Sequence, residues 1–192
     1  MHISNERYFN ERQRHDLALR MIRHEARTCT IRSCTGLTDD RIRRLYKTYA
    51  SHMPSAPVRR RRGKSPRQVA FFVRNARAQL ESSMLASVFA MFGLWRTQAS
   101  QLGTHPSRSL PAGSIDFGRL FCDAYETHRQ LLCNADISFE HAWFLLQLLT
   151  RNAELHAVRC RHCDSQYLRD RVNMCRRACP VCTLKRTDAE RR

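Results

Sequence analysis

The sequence has no apolar run long enough to cross a lipid bilayer. Its most continuous apolar stretch, Leu85–Leu94, is ten residues long, whereas a spanning helix needs about 20. The first residues also lack the basic and then apolar pattern of a secretory signal peptide. We therefore expect a cytoplasmic protein with no membrane partner, in a compartment that keeps cysteine thiols reduced.

Acidic residues are scarce. The 192 residues include 17 Asp and Glu against 34 Lys and Arg, which gives a net charge of +17 and a pI of about 10.5. Such an excess repels itself unless a polyanion neutralises it, and a nucleic-acid backbone is the commonest polyanion. An anionic membrane surface or an acidic protein is the alternative partner. A hydrophobic content of 42% is enough for one moderate core or two small ones.

Alternation of period two, the mark of a half-buried strand, is not sustained anywhere. Apolar residues recur instead at helical spacing, so the predicted fold class is mainly α, with a small C-terminal four-cysteine module. The predicted helices include one near Leu19–Ala26, one after Thr38, one after Ser65-Pro66 that continues to Leu80, Phe117–Leu132 and Ser138–Leu149. The apolar run Met84–Trp95 is either core or a surface that docks a partner.

The cysteines form a pattern near the carboxyl end. The nine cysteines are an odd number, which argues against complete disulfide pairing. Four of them form two C-x2-C pairs separated by fifteen residues, namely Cys160 with Cys163 and Cys179 with Cys182. This spacing is typical of one tetrahedral zinc site held by two turns. Cys175 or His162 could replace one of the four ligands.

Catalytic patterns are not found. A closed site of four thiolates has no open position for a substrate or water. The sequence contains no His-Glu-x-x-His, and Pro180 lies between the cysteines of its pair rather than before them, as a zinc deaminase requires. We therefore predict a protein that is not an enzyme. The remaining cysteines, Cys29, Cys34, Cys122 and Cys133, are predicted to be small core residues.

Two basic segments are candidates for binding DNA. Ile31–Tyr49 has the pattern of a helix, a Gly36-Leu37-Thr38 turn and a second helix, as in a helix-turn-helix. A helical hairpin with a solvated basic face is the alternative. Pro54–Pro66 contains an arginine run and is either a DNA-binding arm or a disordered basic linker. The candidate DNA-binding residues are Arg41, Arg43, Arg44, Lys47, Arg59, Arg60, Arg61, Arg62 and Lys64.

Changes in composition along the chain predict its organisation. The expected regions are a helix-turn-helix-like region at 1–52, a basic linker at 53–66, a helical core at 67–150, a zinc-binding module at 155–185 and a basic tail at 186–192.

The order of these motifs resembles the FlhC family of flagellar transcriptional regulators. The resemblance rests on Thr35–Lys47, on Gly63 to Phe72, on Asp123-Ala-Tyr125, on the Ala142-Trp143 helix and on the terminal cysteines. It implies a mainly helical protein that forms a hetero-hexamer of four FlhD and two FlhC chains. It also implies that the complex binds double-stranded promoter DNA and recruits RNA polymerase, and that the four matching cysteines hold one structural Zn²⁺.

No individual base-contacting residue follows from this resemblance. The unusually basic run Arg59–Arg62 and the short tail after Cys182 are departures that leave room for a divergent regulator of non-flagellar genes. A zinc-stabilised adaptor between proteins is the alternative function.

Overall fold

The fold is taken from a computed structural model of the chain, which describes residues 2–52, 58–96, 113–151, 154–171 and 179–190. The helices are α1 His2–Arg23, α2 Thr28–Thr35, α3 Asp39–His52, α4 Ala70–Val73, α5 Ala76–Met91, α6 Ile115–Leu131, α7 Phe139–Arg151 and α8 Pro180–Ala189. The strands are β1 Leu155–Arg159 and β2 Gln166–Asp170. The predicted fold class, mainly helical with a small C-terminal cysteine cluster, is confirmed.

The chain divides into two compact units. Unit 1 comprises Met1–Ser65 and Ser109–Asp123, and unit 2 comprises Pro66–Arg108 and Ala124–Arg192. The five regions expected from the sequence remain a prediction.

Unit 1 is built around α1, α2 and α3. Helix α2 ends at Gly36, whose left-handed backbone (φ 69°) turns the chain towards α3. Thr38 lies at the start of α3, where its Oγ1 accepts from the Arg41 backbone N at 3.5 Å. Ile42 and Tyr46, one helical turn apart on α3, are both buried. The apolar periodicity therefore selects the face of α3 that packs on α1 and α2.

Unit 2 is centred on α5, which contacts α4, α7, β2 and α8. Leu85, Val88 and Phe89 are buried, so the apolar run Met84–Trp95 is mostly core. Met91 is a large apolar residue of this run that is not core, with 80% of its surface exposed. The helix predicted to continue from Ser65-Pro66 to Leu80 is instead two helices, because Asn75 is extended and caps α5 by accepting from the Ala78 backbone N at 2.8 Å.

The lack of sustained period-two alternation gave no indication of the two short strands that are present. Strands β1 and β2 form an antiparallel pair in which Leu155 faces Asp170 and Arg159 faces Gln166. Each strand has five residues, and neither Leu155–Arg159 nor Gln166–Asp170 alternates strictly between apolar and polar residues, so no period-two signal marks them.

The prediction for the isolated cysteines was half right. Cys34 and Cys122 are buried, whereas Cys29 and Cys133 are exposed. The segment Gly103–Ser114, whose glycine, proline and serine content predicts a loop, lies outside the described residues except for Gly113 and Ser114.

Candidate metal centre and basic surface

The first cysteine pair lies in the turn between β1 and β2. Cys160 follows β1 directly, and its backbone N donates to the Ser165 carbonyl at 3.0 Å. The Asp164 backbone N donates to the Cys160 carbonyl at 3.0 Å, with Asp164 in the left-handed region (φ 55°). The turn aims the backbone N of His162 at the Cys160 sulfur, 3.4 Å away. A backbone N–H directed at a sulfur stabilises the thiolate, which is the form that binds a metal.

The second pair lies at the start of α8. Cys179 is the N-cap residue of α8, and its sulfur accepts from the Cys182 backbone N at 3.3 Å. Pro180 occupies the first turn, where a missing N–H has no cost. The positive end of the helix dipole favours thiolates at this position. Local chain geometry thus positions the two sulfurs of each pair.

The fold brings the four sulfurs together. All four lie within 4.8 Å of one another. Cys160 Sγ is 3.9 Å from Cys182 Sγ, and Cys163 Sγ is 3.4 Å from Cys179 Sγ. Tetrahedral coordination with zinc–sulfur bonds of 2.3 Å separates the sulfurs by roughly 3.8 Å. The spacing therefore fits one tetrahedral ion, and the group could hold one metal ion.

The four thiols are electrostatically unequal. Hydrogen bonds from the side chain and backbone of Ser165 lower the pKa of Cys163 to about 6. The backbone N–H groups of His162 and Cys163 lower the pKa of Cys160. Burial raises the pKa of Cys179, and the neighbouring sulfurs of Cys179 and Cys163 raise the pKa of Cys182 to about 12. The pKa values of Cys160 and Cys163 are thus lowered, and those of Cys179 and Cys182 are raised by burial and by hydrogen bonds with neighbouring sulfurs.

A divalent cation favours the thiolate form of all four cysteines, because it replaces the protons of Cys179 and Cys182. The donor set is entirely sulfur, which suits zinc better than a hard cation such as calcium. The geometry and the chemistry of the residues therefore both fit a closed four-thiolate site.

The two alternative ligands have different outcomes. His162 is exposed and contributes its backbone N–H to the turn, and it is not part of the four-residue group found among the described residues. Cys175 lies outside the described residues.

The basic face of α3 is exposed as the helix-turn-helix prediction requires. Arg41, Arg43, Arg44 and Lys47 are all exposed. Arg41 donates to Glu11 of α1, and Arg43 pairs with Asp40 at 2.9 Å. Arg44 and Lys47 have no ion pair with another described residue. Arg32 on α2 is also exposed and pairs with Asp39 at 3.2 Å.

The arginine run Arg59–Arg62 contacts other residues of unit 1, to which it belongs. Arg60 and Arg61 bind residues at the corner between α1 and α2. The side chains of Arg59, Arg62 and Lys64 are exposed. The candidate DNA-binding residues on α3 and on this segment therefore belong to one unit.

Several positioning residues were missed by the sequence analysis. Ser165 adjoins Cys163, and Glu25 contacts the arginine run. Gln79 and Ser83 of α5 bind the backbone of β2. None of these residues stands out in the sequence, because α5 also contains the polar residues Arg77, Glu81, Ser82 and Ser87.

The fold and the cysteine group define a mainly helical protein with a candidate metal centre that is closed by two cysteine pairs. Residues 3–192 match the family model described as Flagellar transcriptional activator (FlhC), and the chain belongs to this family. The family consists of transcription regulators and not of enzymes. A sequence comparison with curated proteins gives no match. Among the described helices, none combines the length and the apolar character that a membrane span requires.

Proposed function

We propose that this chain is the DNA-binding subunit of a cytoplasmic transcriptional activator that acts with FlhD on promoters of flagellar operons. The observation that carries the proposal is the exposed basic face of α3, which follows the Gly36 turn in a chain that belongs to a transcription-activator family. Nothing in this role requires a catalytic group.

The mechanism begins with charge. A net charge of +17 draws the protein to a duplex, and each neutralised phosphate releases counterions. Helix α3 buries Ile42 and Tyr46 against its neighbours and leaves Arg44 and Lys47 to solvent. A helix presented in this way fits the major groove, where arginine or lysine can read guanine edges or hold phosphates.

Zinc is the metal that we propose for the cysteine group. Cys160, Cys163, Cys179 and Cys182 would hold one ion, which would supply structural cross-linking and no reaction. The ion would connect the β1–β2 turn to the start of α8, two segments that bury few apolar side chains of their own. In such small modules, metal-binding free energy acts as folding free energy.

FlhD is the proposed partner, in a complex of four FlhD and two FlhC chains that recruits RNA polymerase. This part rests on membership of the family and on the resemblance of the motifs. The charge supports it only indirectly, because so basic a chain benefits from neutralisation within a complex.

The direct test is a binding experiment on the co-expressed complex with FlhD. Fluorescence anisotropy would compare a labelled flagellar-operon promoter, a shuffled duplex of the same length, and FlhD alone as the protein control. We expect the complex to prefer the promoter and to lose affinity steeply as salt rises from 50 to 200 mM. A complex that forms but ignores both duplexes at low salt would contradict the proposal.

An interaction adaptor is the second candidate. It is favoured by a groove of about 420 Å³ in unit 2, lined by residues of α5 and α8 and by Leu131, whose surface is 60% exposed. An adaptor would bind FlhD without any affinity for DNA, so the same experiment separates the two functions. A regulator of non-flagellar genes would bind DNA but reject flagellar promoters.

A further inference from the structure

Two helices end with the same hydrogen-bond pattern but with different residues. At the end of α5, Leu94 N donates to Phe89 O and Gly93 N donates to Ala90 O, with Gly93 in the left-handed region (φ 71°). At the end of α1, Ala26 N donates to Met21 O and Glu25 N donates to Ile22 O. Both are Schellman motifs, in which the left-handed position favours glycine.

Glu25 is therefore an exception that calls for a reason. It occupies the left-handed position with φ 57°, where its Cβ makes the conformation costly and where glycine would be preferred. A strained residue of this kind points to something that the side chain does.

The Glu25 carboxylate holds the arginine run, and it uses both oxygens. Oε2 accepts from the Arg61 guanidinium at 2.8 Å, and Oε1 lies 3.4 Å from the Arg59 backbone N as its acceptor. These partners are 34 and 36 residues further along the chain. The carboxylate thus fixes both the backbone and a side chain of the segment.

Further contacts hold the same segment. Arg27 donates to the Gly63 carbonyl. The Arg60 guanidinium lies 5.9 Å from the centre of the Tyr46 ring on α3, and it donates to Thr28 Oγ1 at 3.4 Å. Residues 58–65, which we name the arginine arm, are therefore bound along their length to the α1–α2 corner, to α2 and to α3.

We propose that Glu25 is a positioning residue for DNA binding. It fixes the arginine arm against the α1–α2 corner, α2 and α3, so that Arg59, Arg62 and Lys64 join Arg44 and Lys47 in one surface that binds the phosphates of a duplex. This rests on the proposed function. The benefit is preorganisation, because an arm that is already ordered loses less conformational freedom when it binds.

The proposal predicts an effect of unusual sign. Removal of a carboxylate from beside an arginine run ordinarily strengthens DNA binding, because one repulsive charge is removed. If Glu25 positions the arm, its removal weakens binding. The direction of the change in DNA affinity therefore distinguishes a positioning role of Glu25 from simple charge repulsion.

The test uses Glu25→Gly and Glu25→Gln in the full chain with FlhD. Glycine relieves the left-handed backbone, so Glu25→Gly is expected to melt at or above the wild-type temperature and still to bind promoter DNA about three- to tenfold more weakly. Glu25→Gln keeps the side-chain length and is expected to weaken binding in the same direction. Asp16→Asn is the matched control, because it removes the same charge from a residue outside the α1–α2 corner. Asp16 lies on α1 and pairs with Arg12 at 3.9 Å. Its affinity should be unchanged or higher.

A second measurement needs no DNA. Trypsin should cut the chain within Arg59–Arg62 slowly in the wild type and in Asp16→Asn, and several-fold faster in Glu25→Gly, because cleavage requires a released segment. If the wild-type complex fails to bind DNA, the proposed function is wrong. The trypsin result still shows whether Glu25 holds the arginine arm. Equal cleavage rates, or an affinity of Glu25→Gly equal to that of Asp16→Asn, would overturn the proposal. Binding to phosphatidylserine vesicles without binding to the duplex would overturn it as well.

Discussion

The side-chain amide of Gln79 on α5 donates to the backbone carbonyl of Leu168 on β2 at 2.8 Å, across 89 residues of sequence. One turn further along α5, Ser83 Oγ accepts from the Leu168 backbone N at 3.0 Å. Two buried polar side chains on one helix thus satisfy both backbone groups of a single strand residue.

The register of the strands explains this arrangement. Cys160 N donates to Ser165 O at one end of the pair, and Arg171 N donates to Glu154 O at the other. Between them, Leu168 faces Ala157 at a position where the antiparallel ladder makes no bonds. The N–H and C=O of Leu168 therefore point away from β1, and α5 supplies their partners. These two bonds attach the strand pair that carries the cysteine turn to α5 within unit 2.

Loss of the Gln79 amide should destabilise unit 2. In Gln79→Leu the buried Leu168 carbonyl has no partner, which is expected to lower the free energy of unfolding by about 1–3 kcal/mol. Urea denaturation followed by circular dichroism measures the change. Arg77→Gln is the control, since Arg77 is an exposed residue of the same helix. Equal stability of the two variants would show that the bond contributes nothing.

Removal of one cysteine of the group should abolish metal binding. Cys163→Ser leaves three sulfurs and is expected to lose its zinc and the order of the β1–β2 turn, because structural zinc contributes on the order of 10 kcal/mol. Zinc content by elemental analysis is the measurement. Cys133→Ser is the control, because Cys133 is exposed and outside the group. One equivalent of zinc in Cys163→Ser would refute the proposed ligand set.

Acid should destabilise the protein through His128. Burial lowers the pKa of this histidine to about 4 from 6.5. The unfolded chain therefore takes up a proton below pH 6.5 that the folded chain takes up only near pH 4. The contribution of neutral His128 to the free energy of unfolding is fully present above pH 6.5. As the pH falls from 6.5 to about 4, up to roughly 3 kcal/mol of it is lost.

Urea denaturation at pH 7, 6 and 5 would measure this loss in the wild type and in His128→Leu. The variant should lose less stability on acidification, while acid effects on the cysteine group are common to both proteins. Parallel pH profiles would mean that His128 titrates normally in the folded state.

The basic face of α3 should carry part of the salt dependence of DNA binding. We expect the double variant Arg44→Gln and Lys47→Gln to bind promoter DNA more weakly. The slope of log affinity against log salt should shrink by about 0.9 for each phosphate that the protein no longer neutralises. Fluorescence anisotropy from 50 to 200 mM salt gives both quantities. Lys185→Gln with Arg186→Gln removes two charges from exposed positions on α8. If the α8 double variant changed the affinity and the salt slope more than the α3 double variant, the DNA-binding surface would lie on the cysteine module instead.

The sequence by itself determined the features that depend on nearby residues. Helical spacing predicted the mainly α fold, and the two C-x2-C pairs predicted which sulfurs would meet, because each pair is formed by one local turn. Gly36 and Thr38 likewise marked the turn before α3.

Only the tertiary structure decided the features that depend on distant residues. Strand β2 is held by Gln79 and Ser83 of α5, and the arginine arm is held by Glu25 of the α1–α2 corner. The physical reason is the range of the interactions. Periodicity and knuckle spacing act over a few residues, whereas these hydrogen bonds and ion pairs join positions 34 to 89 residues apart. Such partners become neighbours only when apolar burial has brought their helices together.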